Sequence, residues 1–414
     1  MPQSVVRQAS QNTALIEAFE TLRAATQRLA GPLSPEDAGL QSMEDASPAK
    51  WHLGHTSWFF ETFILKEYVS SYKPFDPAYA HIFNSYYVSA GTRHARHARG
   101  LLSRPPLDAV LDYRHHVTNA IMDAFDALPE DALARIELGI HHERQHQELL
   151  LTDILHAFSF NPLAPAYSAD TPGAAQPAAT LDWTRYDGGI VQIGHSGAAV
   201  AFDNEGPAHD CILLPYALSN RLITNAEWLE FIADGGYRSP LLWLSDGWAT
   251  CEAEGWGAPL YWEQQDGAWH RFSTHGLRPL DLNAPVSHIS YYEADAFARW
   301  AEARLPSEFE WESAAQAEPI DGNFLENGSL TPLGGAGLYG DVWQWTQSPY
   351  QPYPRFKTSS GALGEYNGKF MANQMVLRGG SCFTPMGQMR ASYRNFFYPL
   401  QRWQMTGLRL AKDI

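Results

Sequence analysis

The segment Ile140-His141-His142-Glu143-Arg144-Gln145-His146-Gln147-Glu148 holds the most reactive spacing in the chain. On a helix, His142 and His146 lie on one side about one turn apart, as two ligands of one metal ion must. His142-Glu143-x-x-His146 also satisfies the HExxH pattern literally, in which the glutamate serves a zinc-bound water as general base. A second segment, Lys50-Trp51-His52-Leu53-Gly54-His55-Thr56, sets two more histidines among bulky aromatics. One such histidine alone reads as a hydrogen-bonded core residue. Together with the pair above, the reading is a site of three histidines. Three neutral imidazoles on one face of a metal leave positions open for substrate and for dioxygen or water. His52 and His55 are three residues apart and do not easily both join such a face, and the residues alone leave open which of them does.

The elements that must position these groups are helical. Apolar residues recur at three- and four-residue spacing over 10–29, 47–68, 107–128 and 130–158, with Pro48 and Pro106 at the starts of the second and third and Pro129 ending the third. Four such segments predict a four-helix bundle over residues 1–160, a scaffold that builds metal sites from inward-facing side chains. The connection over 69–105 is long for a compact domain and is read as functional; it carries Tyr86 and Tyr87, whose phenols could donate protons, and the basic run Arg93 to Arg99. Residues 161–182 are rich in Pro, Ala, Ser and Gly and read as a linker. From 183 to 414 the chain turns to Gly, Trp, Tyr and turn residues, with helices expected only at 224–233, 290–303 and after Ser307. The fold class is α followed by α+β.

Composition narrows the partners. The 414 residues carry 29 Lys and Arg against 46 Asp and Glu, a net charge of −17, which argues against nucleic acid or an anionic membrane. No apolar run approaches the roughly 18–20 residues that cross a bilayer. The first residues lack a basic region followed by an apolar one, so a cytoplasmic location is expected. Cys211, Cys251 and Cys382 are too few for a disulfide framework or a four-cysteine zinc site.

The motifs Trp51-His52-Leu53-Gly54-His55-Thr56, His142-x-x-x-His146-x-Glu148 and Phe83-Asn84-Ser85-Tyr86-Tyr87 resemble the DinB-type bundle of the ergothioneine-biosynthesis sulfoxide synthases and the related selenoneine synthases. The second half resembles their partner domain, the formylglycine-generating-enzyme (FGE)/sulfatase-modifying fold, which is C-type-lectin-like with little regular secondary structure. The stretches that carry this are Phe202-Asp203-Asn204-Glu205, Leu305 to Glu308, Gly340 to Thr346, Gly364 to Met371, Val376 to Cys382 and Tyr393 to Phe397. The resemblance implies a mononuclear nonheme iron(II) enzyme that uses dioxygen to join a chalcogen to the imidazole carbon of hercynine, Nα-trimethylhistidine. It places the iron on His55, His142 and His146, with residues 183–414 as a substrate wall. It assigns Gln145 to the substrate imidazole, Tyr86 or Tyr87 to catalysis, and Arg93 and Arg96 to the carboxylate of a cysteine or γ-glutamylcysteine donor. Asn395, Phe396, Phe397 and Trp403 then face the trimethylammonium, a cation without N–H donors that suits an aromatic wall. It leaves open a structural calcium ion in the second half.

Val88-Ser89, Gln388 before Arg390, and Met405 depart from the sulfoxide-synthase pattern on the expected donor side, so the donor stays open between a thiol and a selenosugar. Two rivals are a zinc hydrolase or thiol transferase of the DinB type, and a non-enzymatic FGE or lectin-like binding module. FGE-type copper chemistry needs two cysteines five residues apart, and the position five after Cys382 is Gly387.

Overall fold

A computed structural model describes residues 3–197, 200–358, 364 and 367–414. It divides into compact units, one containing Met1–Phe160 and the other Asn161–Ser360 with Asn367–Ile414. Glu365 and Tyr366 of the Gly364–Met371 stretch lie outside the described residues. No helix among the described residues is long and apolar enough to cross a membrane.

Among the described residues four long helices frame the first unit: α1 (Gln3–Ala30), α2 (Ala49–Phe60), α3 (Leu107–Ala124) and α4 (Glu130–Ser159). Pro48, Pro106 and Pro129 stand immediately before α2, α3 and α4, where a missing N–H costs nothing and a preset φ helps the first turn. Helix α2 runs on through a π-helical turn at Glu61–Leu65. Phe19, Trp58, Phe60, Tyr113, Val117, Ile121 and Ile136 fill the space between the helices.

One carboxylate ties all four helices together. Glu143 of α4 is fully buried. It accepts from Arg23 Nη1 at 2.8 Å and Thr26 Oγ1 at 2.6 Å, both on α1, and from Arg114 of α3. The two arginines reach α2 through Ser57 and Thr56. Burial alone would raise the Glu143 carboxyl, but the Arg114 and Arg23 charges and the hydrogen bonds from Thr26 and Arg114 outweigh it and hold it down to about 2.

The second unit is built on short sheets. Its largest has the strand order Asn395–Phe397, Met375–Arg378, Trp343–Pro349, Thr406–Gly407. The predicted helices form as Asn225–Ala233, Tyr291–Trp300 and Glu308–Ala315, each opened by a reciprocal cap, Thr224 with Glu227, Ser290 with Glu293 and Ser307 with Glu310. A further helix, Ser245–Glu254, has no side-chain cap to announce it, and its Gly247 lets Tyr292 approach so closely that a Cβ there would lie 2.7 Å from the ring. A buried ionic cluster fixes the strand Asn395–Phe397 from its leading end. Arg394 bonds Glu308 through Nε at 2.9 Å and Nη2 at 3.0 Å, while Arg378 bridges Glu308 and Glu312 at 2.8 and 2.9 Å. Residues 161–182 lie along this unit without regular structure: Tyr167 and Ser168 N–H both donate to the Thr274 carbonyl at 2.8 Å, and Gln176 N–H donates to the Leu333 carbonyl at 2.9 Å.

Glu143 generates a stability prediction. Its native carboxyl lies below the ordinary value of 4.5, so its contribution is complete above about pH 4.5 and drains away as pH falls towards 2. Glu143→Ala also strands two buried guanidinium charges, at an expected cost of about 3–5 kcal/mol. Urea unfolding followed by helical circular dichroism checks both, and a loss under about 1 kcal/mol for Glu143→Ala would contradict the role given to this carboxylate.

Candidate metal centre

His55 on α2 and His142 and His146 on α4 come together as buried imidazoles, with one nitrogen from each lying within 4.8 Å of the others. His55 Nε2 and His142 Nε2 are 3.3 Å apart. Two nitrogens each about 2.1 Å from a common ion would be roughly 3–3.4 Å apart at octahedral or tetrahedral angles, so the pair fits one metal. Burial, and then the neighbouring His142 charge, push His55 well below its ordinary range; burial takes His142 down to about 3, and burial followed by His142 and His55 lowers His146 strongly. The cluster is therefore neutral imidazole at physiological pH, the form that offers lone pairs to a metal.

Hydrogen bonds behind the cluster decide which nitrogens face it. His55 Nδ1–H donates to the Phe83 carbonyl at 2.6 Å, leaving Nε2 as the lone-pair atom. A Cβ on Gly54 would sit 2.2 Å from the Phe83 ring, so this approach needs glycine there. His146 Nδ1 lies 2.9 Å from His52 Nδ1, and His52 Nε2 lies 3.0 Å from Asp153 Oδ2, which also accepts Ser47 N–H at 2.7 Å. A carboxylate can only accept, so a neutral His52 gives Asp153 its Nε2 proton and accepts from His146 Nδ1–H, an arrangement that leaves His146 Nε2 as the lone-pair atom. Both nitrogens of His52 are engaged behind His146, and it is His55 that joins the cluster. Asp153, which bonds His52 behind the cluster, is a residue that the motif reading missed. Its signal was spacing, two helical turns after His146 on the same face of α4.

Aromatic walls hold the rings still. Trp51 stacks on His55 at 4.6 Å and 9°, Trp58 stacks on it at 5.5 Å and 15°, and Phe59 stacks on His142 at 4.5 Å. Tyr87 is buried against Trp58 and Phe63, and Tyr86 stacks on Tyr87 at 4.8 Å. Asn84 holds this loop by donating to the Tyr87 carbonyl at 3.0 Å. Gln145, half-buried, precedes His146 on α4. Glu143, committed to two arginines and Thr26, is not poised as the base of an HExxH protease, which removes that reading of the motif.

The remaining expected residues have separate settings. Arg93 is exposed, and Arg96 is exposed and pairs with Asp45 at 3.4 Å. In the second unit, Phe396 stacks on Tyr350 at 4.0 Å, so the alternation of the strand puts Asn395 and Phe397 together on its other face. The Trp403 carbonyl lies 3.3 Å from His288 Nδ1. Arg390 is paired with Glu205, with Nε at 2.7 Å, and Gln388 is buried with Nε2 3.4 Å from the Tyr393 hydroxyl. Among the described residues, no other group of three or more His, Cys, Asp or Glu side chains is close enough to share an ion, so the calcium site finds no such cluster. Among the described residues Cys211, Cys251 and Cys382 form no disulfide.

Metal titration of the full chain tests the division between ligands and support. His55→Ala, His142→Ala and His146→Ala are each expected to abolish tight binding of a divalent transition metal, whereas His52→Ala and Asp153→Ala should weaken it about 10–100-fold. Full binding by His55→Ala with complete loss in His52→Ala would reverse the assignment.

Comparison with known proteins agrees with this architecture. Residues 18–156 match the model of the DinB superfamily, and residues 174–329 and 322–414 match that of the sulfatase-modifying factor enzyme 1-like domain. The hercynine oxygenase of Mycolicibacterium thermoresistibile is 32% identical over 92% of this chain and 91% of its own length. That of Mycobacterium tuberculosis is 31% identical over 95% and 97%. The formylglycine-generating enzyme of Streptomyces coelicolor is 31% identical, over 44% of this chain and 61% of its own. A helical unit with three convergent histidines, followed by the sulfatase-modifying-type domain and matched to these oxygenases over nearly their whole length, makes the chain a member of the hercynine oxygenase family.

Proposed function

We propose that this chain is an iron(II)- and dioxygen-dependent enzyme that forms a carbon–chalcogen bond on the imidazole ring of hercynine. The observation that carries the proposal is the buried set of three neutral imidazoles, in a chain similar to hercynine oxygenases over more than nine-tenths of its length. Iron(II) bound there would keep open positions for substrates and supply the redox chemistry that zinc lacks. With a thiol donor the reaction balances with dioxygen alone: the ring C–H and the S–H are lost, the C–S bond forms, one oxygen atom ends on sulfur and the other leaves as water.

The chain's own residues have the tasks of holding and orienting. His55, His142 and His146 present three lone pairs, two of them fixed by the hydrogen bonds to Phe83 and to His52. Gln145 is assigned to the hercynine imidazole and the Tyr86–Tyr87 pair to proton donation beside the site. Asn395 and Phe397, with Trp403, are assigned to the trimethylammonium, which an aromatic face attracts without needing a hydrogen bond. Arg93 and Arg96 are assigned to a donor carboxylate; they are exposed cations, and Arg93 has no carboxylate in ion-pairing distance among the described residues.

The test is to load the protein with iron(II) without air and then admit dioxygen with hercynine and either a thiol or a selenosugar, reading products by mass. A new carbon–chalcogen product that needs both iron and dioxygen is expected, and the donor that yields it identifies the chalcogen. Turnover supported by zinc with no oxygen consumed would overturn the proposal in favour of a hydrolase or transferase. If the donor bears a carboxylate, Arg93→Ala or Arg96→Ala should raise its KM about 10–100-fold, equivalent to roughly 1.4–2.8 kcal/mol, with hercynine affinity little changed.

A further inference from the structure

Arg99 closes the basic run Arg93 to Arg99, yet it is 3% exposed, whereas Arg93 and Arg96 are exposed. Its guanidinium carbon lies 3.4 Å from the centroid of Trp51, and the same indole stacks on His55 at 4.6 Å and 9°. Two flat groups cannot share one face of an indole at these distances, so the guanidinium and the ligand imidazole lie on opposite faces. Arg99 Nη1 donates to Ser47 Oγ at 2.8 Å and Nη2 to Ser85 Oγ at 3.3 Å, while Nε is buried without a partner among the described residues. Ser47 in turn gives its N–H to Asp153, which stands behind His52 and His146. One cation thus lies against the indole that stacks on His55 and bonds the serine whose N–H holds Asp153.

The charges around it do not cancel it locally. Among the described residues no carboxylate is in ion-pairing distance of Arg99; Asp153 acts on it from further away, and Arg96 and Arg93 repel it. Burial first, then Arg96, lower its affinity for the proton to about 9, so it remains a cation at neutral pH. A guanidinium desolvated against hydroxyls and an indole keeps a cost that those contacts do not fully return. Such an uncompensated charge is a mark of functional rather than structural design.

We propose that Arg99 is a positioning residue that biases the open positions of the metal towards anions, so that the chalcogen donor enters as its thiolate or selenolate. The inference rests on the metal assignment of the proposed function and adds to it. Three neutral imidazoles contribute no charge of their own, so a buried cation on the order of 10 Å from the ion, at an effective dielectric near 20, favours a bound monoanion by about 10–30-fold. The same charge opposes the metal cation, so removing it should not weaken metal binding.

The full-length protein loaded with cobalt(II) tests this, with visible absorption reporting azide as the anionic ligand and imidazole as a neutral control. Arg99→Gln and Arg99→Met are expected to bind azide about 10–30-fold more weakly, with imidazole and cobalt(II) affinities undiminished, and Arg99→Lys is expected to retain azide binding. Gln keeps donors for Ser47 and Ser85, so the comparison survives if Met disturbs the fold. Unchanged azide affinity in the Gln variant, or parallel loss of azide and imidazole, would overturn the proposal and leave Arg99 a wall residue. A parent protein that takes up no cobalt(II) would overturn the metal reading beneath it.

Discussion

A single proton direction organises the metal centre. The Asp153 carboxylate accepts, so a neutral His52 gives it a proton and takes one from His146. This leaves the far nitrogen of His146 bare and aimed at His55 and His142. The Phe83 carbonyl imposes the same condition on His55 from the other side. Without these two acceptors each imidazole could present N–H instead of a lone pair, and three histidines in proximity would not amount to a ligand set.

The bundle is arranged to keep that direction intact. Glu143 sits one residue beyond His142, on a different face of α4, and anchors there to α1 and α3. A helix pinned on one side by a buried charge network, with Phe59 stacked on His142 on the other, has little freedom to rotate its histidines. Polar core and metal site are consecutive faces of one helix. In the second unit the Glu308, Arg378 and Arg394 cluster plays the corresponding part, holding the strand Asn395–Phe397 at a fixed register against Met375–Arg378.

The sequence made the helices and capped starts legible because prolines and Ser/Thr-x-x-Glu boxes mark them locally. The histidine pair on α4 was legible because a four-residue spacing is a local property. The choice between His52 and His55 was not, since it depends on a backbone carbonyl 28 residues later and on a carboxylate 101 residues away from His52. The HExxH pattern was misleading for the same reason: Arg23 and Arg114, which claim Glu143, are distant in sequence. Of three arginines in one basic run, spacing alone gave no sign that Arg99 would be the buried one. Ser245–Glu254 escaped because a helix without a side-chain cap leaves no mark at its start.

Anomalous diffraction at the metal edge, on crystals of the full-length protein loaded with its metal, tests the central claim most directly. The expected result is one ion bound by the Nε2 atoms of His55, His142 and His146, at about 2.0–2.2 Å, with His146 Nδ1 still bonded to His52 and His52 to Asp153. An ion held by His52 in place of His55, or by the Glu143 carboxylate, would contradict it.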